Sequence, residues 1–143
     1  MNATKLGFFA MLLGAMTGTM SGAWACNPEL DGPKVAGANS AESKNYAVIF
    51  RTHPEKIAIG QHFVVDLALC AKDGAAAPES VRVDAHMPEH RHGMNYKTHV
   101  TSSGAGKYRA EGLMFHMPGR WEYIFEVGAA GATERITTSV VLQ

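Results

Sequence analysis

The sequence predicts an all-β domain: a single β-sandwich of about seven or eight short strands, behind an N-terminal signal peptide. Three observations carry that reading. From residue 45 onward, apolar and polar residues alternate with period two in run after run, the pattern of strands buried on one face. Turns containing Gly or Pro separate these runs at near-regular spacing. No stretch after residue 26 carries a helical stripe.

Taken in order, Lys5 gives a short positive start, Gly7 to Met20 is apolar and uncharged, and Ala23-Trp24-Ala25 is a small-x-small cleavage site. That is the three-part layout of a secretory signal over residues 1–25, with the mature chain beginning at Cys26. The apolar run of 14 residues is short of the roughly 20 that span a bilayer, so cleavage is expected rather than a retained anchor. No later stretch is apolar enough to span a membrane. The expected location is therefore periplasmic or secreted. Removing the signal leaves 118 residues with 12 basic and 13 acidic side chains. One domain of modest core fits that length, and the balanced charge argues against a nucleic-acid partner.

Residues 26–44 mix Gly, Pro, Asn, Ser and Ala without period and read as a flexible N-terminal arm or linker. Export puts the two cysteines, Cys26 and Cys70, in an oxidising compartment, where a Cys26–Cys70 disulfide is expected. The alternative for Cys26 is lipidation. Lipoprotein signals usually carry Leu three residues before the cysteine, and here that position is Ala23.

The domain proper runs over 45–143. Tyr46–Phe50 is the first strand. Gln61–Cys70 is the clearest, with Phe63, Val65, Leu67 and Leu69 alternating with polar or smaller residues. Val81, Val83 and Ala85 share the buried parity of a third, against Arg82, Asp84 and His86. Lys97–Ser102, Lys107–Ala110 and Gly112–Met117 are shorter runs. Arg120–Val127 places Trp121, Tyr123, Phe125 and Val127 on the core face, and Thr133–Leu142 closes the domain with Ile136, Thr138, Val140 and Leu142 on one side.

The chemistry is concentrated between residues 86 and 117. Five of the seven His and all four Met beyond the signal lie there. Met that merely filled core gaps would be scattered across the strands. Thioether sulfur selects Cu(I), and imidazole serves Cu(I), Cu(II) and Zn(II), so His with Met points to copper, with Cu(I) favoured. His90, His92 and Met94 lie in a loop bracketed by Pro88 and Gly93; His116 and Met117 precede the turn at Pro118-Gly119. If the two turns share one end of the sandwich, these five residues meet, with Met87 and His86 as reserves. Each has a plainer alternative: a solvated loop His, a Met117 sharing the core parity of Leu113 and Phe115, an exposed His86. His53, His62 and His99 are assigned no role. No nucleophile elbow, H-E-x-x-H pair, haem-attachment motif, phosphate-binding loop or dinucleotide fingerprint is present. No enzyme and no small-molecule substrate are expected.

Three segments together carry a resemblance: Met87-Pro-Glu-His-Arg-His-Gly-Met94, Gly106-Lys-Tyr108, and Gly112-Leu-Met-Phe-His-Met-Pro-Gly-Arg-Trp-Glu122. In these the sequence resembles the YtkA-like/FixH-like family across about residues 45–143. The resemblance implies an immunoglobulin-like sandwich in an exported or membrane-tethered protein, and an association with copper handling and assembly of haem–copper oxidases. FixH-type members carry a transmembrane helix, which this chain lacks beyond its signal. The order of His86-Met87, Met94 and His116-Met117 is more distantly similar to periplasmic copper chaperones with spaced Met and His. The expectation is an exported copper-binding carrier or buffer that releases Cu(I) by ligand exchange to an acceptor protein of the envelope. The rival is a non-metal interaction module that uses the Met87–Met94 loop as its recognition surface.

Overall fold

The structure, a computed structural model, describes residues 38–143. Among these, nine strands and no helix form: β1 (Asn39–Glu42), β2 (Tyr46–His53), β3 (His62–Ala71), β4 (Ser80–Met87), β5 (His92–Gly93), β6 (His99–Gly104), β7 (Lys107–Met114), β8 (Gly119–Ala129) and β9 (Ala132–Leu142). The signal segment and Cys26 lie outside the described residues, and so does the expected Cys26–Cys70 pairing. Cys70 itself sits near the end of β3, opposite Ala47 of β2.

The strands make two antiparallel sheets, ordered β1-β2-β3-β7-β6 and β5-β4-β8-β9. The fold is an immunoglobulin-like β-sandwich, and the alternation read from the sequence is the alternation of its core. Phe63, Val65, Leu67 and Leu69 of β3, and Trp121, Tyr123, Phe125 and Val127 of β8, are all buried. Phe50 packs at 5.0 Å from Phe125, and Phe63 at 4.8 Å from Phe115, ring centre to ring centre. Such aromatic pairs contribute about 0.5–1.5 kcal/mol each beyond the area they bury.

Two strands lie where no period marks them. β1 falls within the segment read as a loose arm; it pairs with β2, from Asn39 opposite Phe50 to Glu42 opposite Ala47. It is an edge strand with three of its four residues exposed, so it shows no buried parity. β5 is two residues long and pairs only with β4.

The two runs expected at 107–110 and 112–117 are joined into β7. Its register against β3 shifts between Phe63 and Val65, where Glu111 and Gly112 face the single residue Val64. That is a β-bulge with one extra residue on β7. Gly112 absorbs it at φ +87°, and a Cβ there would stand 2.9 Å from the Lys97 carbonyl oxygen. Beyond Met114 the chain crosses to the other sheet and enters β8 at Gly119. This crossing shares one end of the sandwich with the β4–β5 hairpin.

Candidate metal centre

The β4–β5 hairpin turns through residues 88–91. The Met87 carbonyl accepts from the backbone N–H of His90 at 3.2 Å and of Arg91 at 2.9 Å, and Arg91 takes φ 56°. Met87 then lies opposite His92, and His86 opposite Gly93. Opposed residues of an antiparallel pair share a face. Met87 is 1% exposed and belongs to the core, so His92 is on the inner side. The Met94 N–H donates to the Ala85 carbonyl at 3.1 Å, carrying the pairing one step further, and the Met94 side chain packs against the core. The hairpin is fastened to β8 by Arg120 Nε donating to Glu89 Oε1 at 2.8 Å. Arg120 holds the Glu89 carboxyl below its ordinary range, and Glu89 raises Arg120 in return.

The crossing supplies the other half. The Gly60 N–H donates to the Phe115 carbonyl at 2.8 Å, Phe115 is fully buried, and Met117 packs against the core. Trp121 Nε1–H donates to the Met117 carbonyl at 3.0 Å. Its indole stacks on Phe115 at 4.7 Å, which fixes the segment beside β5.

The two turns therefore meet. The rings of His92 and His116 lie 5.1 Å apart, and those of His90 and His92 5.8 Å apart. Trp121 lies 5.2 Å from His116 and 5.9 Å from His92. Two imidazoles sharing one tetrahedral ion, at metal–nitrogen lengths of about 2.0–2.1 Å, place their ring centres about 5 Å apart. The His92–His116 spacing fits that figure. His92 Nδ1 lies 3.0 Å from the Gly93 carbonyl oxygen. A carbonyl only accepts, so Nδ1 carries the proton and Nε2 keeps its lone pair, the usual arrangement behind a metal-ligating His. His116 Nδ1 is buried with no hydrogen-bond partner. Buried polar atoms left unpaired are rare and call for an explanation such as an ion. Among the described residues, no group of three or more His, Cys, Asp or Glu is arranged to hold a metal.

Of the seven residues singled out in the sequence, His90, His92, Met94, His116 and Met117 gather at this end. His90 stands on the exposed rim. His86 and Met87, the two reserves, are directed elsewhere. His86 faces outward and meets Glu122, Nε2 to Oε1 3.3 Å. The Met87 side chain is packed inside, close beneath Gly119. Trp121 sits at the middle of the ring cluster, and its sequence signal marked only a core position.

A family model described as YtkA-like matches residues 40–126. No curated protein matches the chain. Among solved structures, a DUF4426 family protein from Pseudomonas aeruginosa PAO1 is similar at 10% identity and a TM-score of 0.46, covering 75% of this chain and 97% of its own.

Proposed function

The chain belongs to the YtkA-like family, and from that premise and the cluster at the hairpin end we propose that it is an exported copper-binding protein, a carrier or buffer rather than an enzyme. The observation that carries the reading is the pair His92 and His116. Their rings lie at the spacing of a shared ion, and one of their nitrogens is buried without a partner. Met94 and Met117 flank them with one side on the core. Imidazole with thioether is a donor set for Cu(I). The ion is cargo: it arrives from and leaves to other proteins by exchange of ligands at the exposed rim, where His90 stands. The acceptor is an envelope protein receiving copper, such as a haem–copper oxidase under assembly. Export through residues 1–25 and a Cys26–Cys70 disulfide complete the proposal.

Anaerobic titration with Cu(I) against a competing chelator tests it. The wild type should hold one ion at least tenfold more tightly than His92→Ala/Met94→Ala, a difference of at least about 1.4 kcal/mol. Equal affinities overturn the reading and favour a recognition loop. Repeating the titration at mildly acid pH weighs the two donor types. Imidazole ligands protonate in that range, and thioethers do not.

A further inference from the structure

Two Met beyond the signal segment lie outside this cluster, Met87 and Met114. Met87 is in the core, and Met94 and Met117 pack against it. Met114 is the remaining one beyond the signal segment. It closes β7 and lies directly opposite His62, the first residue of β3. Their inward neighbours Leu113 and Phe63 are buried. Met114 and His62 therefore stand together on the outer face of the five-stranded sheet. Opposed residues of an antiparallel pair have Cβ atoms about 4.5–5.5 Å apart, within which a sulfur and a ring nitrogen converge on one ion. Met114 is half-buried on that face, outside the set of side chains packed on the core. His62 is exposed, and its ring is held edge-on by Tyr96 at 5.1 Å.

We propose that His62 and Met114 form a second, surface site for a soft monovalent cation of the Cu(I) class, so that the protein carries two ions rather than one. A two-donor nitrogen–sulfur set suits Cu(I), which tolerates low coordination. It does not suit Zn(II), which takes four ligands. Met114 is two residues before His116, about 7 Å along an extended chain, so the second ion sits beside the first without sharing its donors. With two ligands, this site is the weaker and fills second. The inference rests on the copper reading above for the identity of the cargo.

The test follows the Met methyl signals of the purified protein by carbon-13 NMR during anaerobic addition of Cu(I). Met94 and Met117 should shift over the first equivalent, Met114 over the second, and Met87 should stay still. His62→Gln/Met114→Leu should lose the second phase and hold the first ion within twofold of wild type. Both changes are on the surface, and an unchanged methyl spectrum of the metal-free variant verifies the fold. Shifts at Met94 and Met117 with a stationary Met114 overturn this proposal alone. A second phase that persists in the variant also overturns it. Four stationary methyls overturn it together with the copper reading.

Discussion

His116→Phe should be more stable than the wild type without metal and less stable than the wild type with copper bound. Without metal, His116 Nδ1 is buried and unpartnered, and such an atom costs about 1–3 kcal/mol. Phe removes the nitrogen and keeps a ring 5.2 Å from Trp121 and 5.1 Å from His92, where each aromatic contact is worth about 0.5–1.5 kcal/mol. Residue 116 is half-buried, so the larger ring has room toward solvent. The metal-free variant should gain about 1 kcal/mol, a rise in Tm of about 3–6 °C for a domain of this size. With Cu(I) at a hundredfold excess over its Kd, the wild type gains about 2.7 kcal/mol. A donor lost from the site should weaken binding about a hundredfold, leaving the variant a gain of about 0.4 kcal/mol. The wild type should then be the more stable by about 1 kcal/mol. Calorimetric unfolding of both proteins, once with a chelator and once with anaerobic Cu(I), measures all four values. A metal-free variant less stable than wild type would refute the argument from the orphaned nitrogen. Equal gains from Cu(I) would refute a ligand role for His116.

Three further outcomes are expected. Tyr123 is buried, its hydroxyl has no hydrogen-bond partner, and burial pushes its phenol well above the ordinary 10.0. Tyr123→Phe should therefore stabilise by about 1 kcal/mol in urea unfolding. Because the folded phenol keeps its proton where the unfolded one loses it, the wild type should lose up to about 1.4 kcal/mol per pH unit above about pH 10, and the variant should lack that component. A destabilised variant contradicts this account. Gly112→Ala places a methyl 2.9 Å from the Lys97 carbonyl at φ +87°; a cost of about 1–3 kcal/mol is expected, and one below about 0.5 kcal/mol would show that the bulge relaxes freely. Arg120 holds Glu89 below its ordinary 4.5, so the clasp on the hairpin is intact above that pH and opens as pH falls through the lowered value. The Arg120 Nε–H resonance should report that transition below pH 4.5 and lose it in Glu89→Gln; a midpoint at or above 4.5 counts against the clasp.

The core was legible in the sequence because a buried face imposes period two. The parity of Phe63, Val65, Leu67 and Leu69 is the parity of burial, and so is that of β8. The same rule applied one step further places Met87 with Val83 and Ala85 in the core, away from any ligand role. β1 and β5 were illegible for the complementary reason. An exposed edge strand buries no side, and a two-residue strand has no period; each exists because a neighbour offers backbone hydrogen bonds. Clustering of His and Met along the chain marked the segments of the site. It did not mark the meeting of His92 and His116, which depends on pairing across 24 positions of sequence, nor Trp121, whose ring is core on one side and site on the other. Met114 and His62 looked unrelated, at 52 positions apart, until register set them opposite.

Side-chain parity also explains why soft donors collect at this end. A sandwich is closed along its length by two apolar inner faces, and a polar side chain turned inward there would be left without partners. At the end of the sandwich the inner parity continues for a residue or two past the last core position, into space that solvent reaches from one side. His92 follows Met87 across the hairpin in that way, and Met117 follows Phe115 at the start of the crossing; His116 lies between these two, and its ring is set against Trp121 and His92 where the strand has ended. Thioethers extend the core at no polar cost, so Met94 and Met117 pack against it while staying half-exposed beside the two His. On the proposed reading, an ion held there would meet donors fixed from behind by Trp121, the Gly93 carbonyl and the core, and open in front at His90. Rigid backing favours capture, and the open front leaves a path for an incoming ligand to take the ion by exchange. Both properties come from the position of the cluster at the end of the fold. The same donors placed at inner positions within β4 and β8 would be enclosed between the sheets, with no route for release.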